Sequence, residues 1–153
     1  MDPNELCPQA RYTSWYKHGV DRKRRLAIPA QWRSESDTEL MLVRWRHPVA
    51  GMFVRVFPPS HMVKIMAEIE AMPKGDPKRT ILKRKIGSGS VRVPLDGNGR
   101  ILLPEHMAEE AGITNEAVLV AALDVFEIWS PERRERAQIS DDALEAEAYK
   151  LLE

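Results

Sequence analysis

Apolar and polar side chains alternate along much of the chain, which is the pattern of half-buried strands. It predicts extended segments over Tyr12–Val20, Leu26–Ile28, Leu40–Trp45 and Met52–Phe57 in the first half, and over Ser90–Leu95, Ile101–Leu103, Ala117–Ala122 and Val125–Trp129 in the second. Helical spacing enters between them. Pro29 opens a short helix to about Arg33, Pro104 opens one that Gly112 closes, and Pro131 starts a charged helix. Met62, Ile65, Met66 and Ile69 share one helix face, with Ser60 as the expected N-cap, and read as core. Lys78–Lys85 reads as a short basic helix, and Ser140 as the cap of a last one whose apolar face is Leu144, Ala148, Leu151 and Leu152. The first residues, polar and with Pro3 and Pro8, read as a flexible leader.

The two halves repeat. Asp21, Arg25 and Pro29 recur 75 positions later as Asp96, Arg100 and Pro104, with an apolar triplet between Arg and Pro each time. Val43 aligns with Val118 at the same offset. The offset then falls to 72, matching Val54, Val56, Phe57 and Pro59 with Phe126, Ile128, Trp129 and Pro131, so the first hairpin is expected to be three residues longer. A strand–turn–strand–helix–strand–strand unit in tandem accounts for this. One unit, at about 45 residues, is marginal for a core of its own, so the two are expected to complete one another's sheet. The predicted organisation is a leader over 1–11, a first module over 12–60, connecting helices over 61–88, a second module over 89–132 and C-terminal helices over 133–153.

Composition adds one surprise. The 153 residues hold 23 Lys+Arg and 23 Asp+Glu, a formal net charge of zero that does not look like a nucleic-acid binder. The zero is a cancellation: residues 1–92 carry 18 cations and 9 anions, and residues 93–153 carry 5 and 14. Such a split points to an electrostatic partner on one side of the molecule, or to a head-to-tail contact between copies. No apolar run approaches a membrane span, and the N-terminus lacks a signal-peptide pattern. Cys7 is the only cysteine, so no internal disulfide forms; together these favour a bacterial-type cytoplasm or another reducing compartment.

Three segments in order carry a resemblance. Tyr16–Arg33, with Asp21-Arg22-Lys23-Arg24-Arg25 at its centre, resembles the first signature of MraZ proteins; Leu95–Pro104 resembles the second; Phe126-Glu127-Ile128-Trp129 is similar to the family's closing motif. The resemblance implies an α+β fold: tandem AbrB/SpoVT-like swapped-hairpin modules forming one pseudo-two-fold β-barrel, with peripheral helices. It also implies a bacterial DNA-binding regulator, expected to repress the division and cell-wall gene cluster and its own promoter. Such a protein would bind short direct repeats in double-stranded DNA as a ring homo-oligomer, in the cytoplasm and in association with the nucleoid. By carry-over, Lys23, Arg25 and Arg100 are expected to contact DNA, with Arg22 and Arg24 adding phosphate contacts and Asp21, Asp96 and Gly99 holding the turns. Arg11, Lys17 and Arg33 lie near the first turn in sequence. The family's first turn has glycine where this chain has Arg24, so a differently shaped turn or a strained Arg24 is expected.

Arginine suits these roles because its planar fork reads guanine and grips phosphate. Asp21–Arg25 and Asp96–Arg100 could equally be ion pairs that only hold the turns. The basic run Lys78–Lys85 is a solvated face, a flanking phosphate contact, or a partner for the acidic region of a neighbouring subunit. Two alternatives to the regulator stand: an antitoxin-like autoregulator, and a ring-forming scaffold with weak DNA binding. Catalysis has little to stand on. His18, His47, His61 and His106 lack metal-ligand spacing, and Gly87-Ser88-Gly89-Ser90 lacks the lysine of a phosphate loop. His106 beside Glu105 and Glu109 reads as helix surface. No cofactor, metal, small-molecule substrate or membrane partner is expected.

Overall fold

A computed structural model describes residues 11–153. Cys7 and all of the expected leader but Arg11 lie outside the described residues. The first module holds β1 (Trp15–Gly19), β2 (Arg25–Ala27), a single 3₁₀ turn (Ala30–Trp32), β3 (Glu39–His47) and β4 (Gly51–Phe57). Helices α1 (Met62–Glu70) and α2 (Pro77–Ser88) follow. The second module holds β5 (Ser90–Pro94), β6 (Arg100–Leu102), α3 (Glu105–Ala111), β7 (Glu116–Ala121) and β8 (Phe126–Trp129), before α4 (Pro131–Asp142) and α5 (Glu145–Tyr149).

The strands form a six-stranded antiparallel sheet in the order β1-β7-β8-β4-β3-β5, and a separate ribbon of β2 with β6. Each module's first strand therefore pairs with the other module's third: β1 with β7, β5 with β3. This exchange makes the α+β fold a tandem AbrB-like swapped-hairpin barrel with peripheral helices. A pseudo-two-fold axis passes between equivalent residues that face each other, Leu26 against Ile101 in the ribbon and Arg55 against Glu127 in the sheet.

The barrel interior draws on both modules. Leu26, Leu42, Ile101, Leu103 and Leu119 are buried there with Trp32 and Phe126, whose rings lie 4.8 Å apart. Helices cover the sheet's outer face. Met62 and Ile65 of α1 and Ile86 of α2 pack on Met41, Val43 and Phe57. Ala137 of α4 packs on Phe53 and Trp129, whose rings stack at 4.2 Å. Burying a large apolar side chain contributes about 1.5–3 kcal/mol, so neither module would retain its share of this core alone.

Several expectations need correction. The first strand starts at Trp15 because Ser14 takes a left-handed φ of 75°, leaving Tyr12 to bridge Leu123. Ser60 is not a cap; it lies inside a 3₁₀ turn (Pro59–His61) that leads into α1. Met66 is 46% exposed, so the α1 stripe is core only at its other positions. Ser140 lies within α4, because Ser130 is the cap, accepting from the Arg133 N–H at 3.2 Å. The third strands also superpose two residues away from the sequence alignment. Trp129 faces Val118 as Phe57 faces Met41, so Val120, not Val118, matches Val43. The first hairpin is accordingly five residues longer, since β3 and β4 run past the barrel.

Candidate nucleic-acid interface

The two Asp-x₃-Arg segments fold into the same turn. In the first, Asp21 Oδ1 accepts the N–H groups of Lys23 and Arg25, each at 2.9 Å, while Oδ2 accepts Arg25 Nε at 2.6 Å. In the second, Asp96 Oδ1 accepts the N–H groups of Asn98 at 2.8 Å and Arg100 at 3.0 Å, while Oδ2 accepts Arg100 Nε at 3.2 Å. A carboxylate held by several donors is favoured in its charged form. The Arg25 N–H above all, with its guanidinium and the Lys23 N–H, holds the Asp21 carboxyl below its usual range. The Arg100 N–H, with that of Asn98 and the Arg100 guanidinium, does the same for Asp96.

Arg24 takes a φ of 61° where its counterpart Gly99 takes 73°. The expectation of a differently shaped first turn is therefore wrong: the backbone is kept and Arg24 is placed in the left-handed region. Its Nε donates to the Leu103 carbonyl at 3.2 Å, and its own carbonyl accepts the Leu103 N–H at 2.8 Å. The mirror contact, Ile28 N–H to the Gly99 carbonyl, is 2.9 Å. These bonds prolong the β2–β6 ladder beyond both ends.

Register decides which side chains the ribbon presents. Leu26 and Ile101 point inward and are buried, so Arg25, Ala27, Arg100 and Leu102 all point outward. Arg25 faces Leu102 and Ala27 faces Arg100, which makes the two arginines diagonal neighbours, with α-carbons about 7–8 Å apart. The turns stand at opposite ends of the ribbon. Among the described residues the aspartates take Nε of each arginine and nothing takes the Nη groups. Each guanidinium thus holds its turn and keeps an outward fork.

The remaining cations divide. Arg22 and Lys23 are exposed beside Arg25. Lys17 pairs with Glu116 at 3.6 Å and Arg11 with Asp37 at 2.5 Å, which places neither among the outward forks. Arg33 crosses to the other module, and its guanidinium lies where a side chain on Gly99 would be. The second turn, with Gly97 and Asn98 where the first has Arg22 and Lys23, so gains a cation. In the α2 run, Arg79 and Lys83 both pair with Glu70.

Two residues escaped the sequence reading. Leu102, 52% exposed at the end of β6 opposite Arg25, is visible in the sequence only as part of an apolar triplet; the period-2 alternation around buried Ile101 is the signal for it. Arg33 stood out only as a nearby cation, since its reach across the axis needs the fold. Among the described residues no three His, Cys, Asp or Glu side chains gather as for a metal ion, and no helix is long and apolar enough to cross a membrane.

The family described as "MraZ protein, putative antitoxin-like" matches residues 86–149, which contain the second turn. A protein of Rickettsia rickettsii named transcriptional regulator MraZ is 32% identical over 126 residues, covering 82% of this chain and 85% of its own. One of Herpetosiphon aurantiacus with the same name is 36% identical over 118 residues, covering 77% and 80%. One of Leuconostoc citreum, again so named, is 29% identical over 135 residues, covering 85% and 92%. The relatives are named for regulation and not for catalysis, and the chain belongs to the MraZ family.

Proposed function

We propose that this chain is a sequence-specific DNA-binding transcriptional regulator whose reading head is the β2–β6 ribbon. The observation that carries this is the outward set of Arg25 and Arg100 on a two-stranded ribbon, flanked by Arg22, Lys23 and Arg33. The major groove admits a two-stranded ribbon, and an arginine fork aimed into it pairs with guanine O6 and N7. The flanking cations would meet phosphate and set register. Leu102 would lie against a thymine methyl, the apolar feature of the same groove.

The finer reading is a repressor of the division and cell-wall gene cluster and of its own promoter, working in the cytoplasm on the nucleoid. It would grip short direct repeats through a ring of copies. One ribbon presents few base-reading side chains, so avidity across repeats would raise affinity by 10²-fold or more over a single contact. On this reading the two modules, 12–60 and 89–132, would each contribute one strand and one turn to this head. An antitoxin-like autoregulator fits less well, because such proteins are expected to carry one module and a disordered tail, whereas here the chain is helical to Tyr149. A scaffold with a disabled first turn is the less supported reading, because Arg24 keeps the backbone conformation that Gly99 has in the second turn.

Fluorescence anisotropy on DNA from upstream of the protein's own gene tests this. The expected result is binding at near-physiological salt that prefers that sequence and weakens steeply as salt rises. Equal, salt-insensitive affinity for unrelated DNA, or none for either, would overturn it.

A further inference from the structure

The last ten residues are folded but cover nothing. Leu144, Tyr149, Leu151 and Leu152 are 60%, 63%, 87% and 84% exposed, and neither α5 nor the final 3₁₀ turn (Lys150–Leu152) buries a residue. Helices this short are marginal in water without tertiary packing. In the sequence Leu144, Ala148, Leu151 and Leu152 are spaced i, i+4, i+7 and i+8, and all four are exposed across α5 and the turns that flank it. Its surroundings are acidic: Asp142, Glu145, Glu147 and Glu153 against the single cation Lys150.

A complementary surface exists elsewhere on the same chain. A cavity of about 550 Å³ lies between α2, the overlong β3–β4 hairpin and the end of α3. Trp45, Leu82 and Ile86 form an apolar wall, while Arg46 and Lys85 stand exposed at the rim with no ion-pair partner among the described residues. Arg44 at the same rim is held by Glu110 at 3.3 Å. None of the residues 144–153 of the same chain lines this cavity, and Leu144, Leu151 and Leu152 stay exposed.

We infer that the acidic, leucine-bearing C-terminal segment of one copy, Leu144–Glu153, docks in the basic-rimmed cavity between α2 and the β3–β4 hairpin of a second copy. This names the interface of the proposed assembly, on which it rests. Tail and cavity are different surfaces, so the contact is head-to-tail, and each copy can receive one neighbour and be received by another. Contacts of that kind close into rings when their rotation permits. The contact also uses the charge split directly, placing the acidic end of one chain on the basic half of the next.

The test is the mass of the full chain by light scattering after size exclusion. Wild type is expected as an oligomer. Leu151→Asp with Leu152→Asp, and separately Arg46→Glu with Lys85→Glu, should each reduce it to monomer with an unchanged circular dichroism spectrum and melting temperature, since all four side chains are exposed. Adding Glu145→Lys and Glu147→Lys to the Arg46→Glu, Lys85→Glu variant should restore at least part of the assembly. An oligomer that survives both double substitutions overturns the docking while leaving the ring intact. A wild-type monomer at micromolar concentration overturns both. Affinity for a single DNA repeat should stay within about twofold in every variant, which separates this contact from the ribbon.

Discussion

Arg24 sits in a conformation that costs an ordinary L-residue roughly 1–2 kcal/mol relative to the right-handed regions. What offsets this is its Nε bond to the Leu103 carbonyl, worth about 0.5–1.5 kcal/mol. Arg24→Gly removes cost and compensation together and is expected to change stability by less than about 1 kcal/mol. Arg24→Ala keeps the cost and loses the bond, and should destabilise by about 1 kcal/mol; denaturant melts of the two variants distinguish them. The turn aspartates are governed by pH instead. Their folded carboxyls titrate below the unfolded value near 3.8, so the stability they contribute is complete above that pH and is lost as pH falls through the lower folded value. Asp96→Asn should therefore flatten the acid limb of a melting-temperature profile below about pH 4 and leave the neutral limb parallel to wild type. A variant as acid-sensitive as wild type would show that the Asp96 charge contributes nothing to the turn.

The ribbon is three residues per strand, and its function depends on which face each residue takes. Arg100→Ala removes an outward fork and one ion pair on the surface, so DNA affinity is expected to fall about tenfold or more while the melting temperature moves little. A melt that collapses instead would assign the arginine to the turn alone. Leu102→Ala offers a sharper measurement. Affinity should drop for a thymine-bearing site, and replacing the contacted thymine by deoxyuridine should cost wild type but not the variant. Equal losses in both proteins would remove Leu102 from the interface. The alternating pattern made every strand legible, and the Asp-x₃-Arg repeat made both turns legible, because turn chemistry and period-2 burial are local properties. Arg33 at the second turn and the two-residue shift of β7 were not legible. Both depend on how two modules exchange strands, and no local spacing encodes that.

At the scale of the whole molecule, the tandem repeat frees the two modules to differ where they meet. On the axis, an identical pair would set each residue against itself. Here Arg55 faces Glu127, with Nη2 3.7 Å from the carboxylate and the guanidinium 4.0 Å above the Trp45 ring. Glu127 also accepts the Trp129 indole N–H at 2.9 Å. Both charges are largely shielded, the side chains being 28% and 15% exposed, so removing one partner leaves the other poorly compensated. Glu127→Gln should destabilise by about 1–2 kcal/mol, which is roughly 2–8 °C in melting temperature for a chain of this size. Glu127→Arg should cost more, since it places two cations across the axis. Adding Arg55→Glu to Glu127→Arg should recover the ion pair but not the stacking on Trp45, so recovery should be partial. If Glu127→Arg melts with wild type, the axis is held by its apolar pairs, Leu26–Ile101, Val54–Ile128 and Val56–Phe126, and the charge asymmetry there has no part in joining the modules.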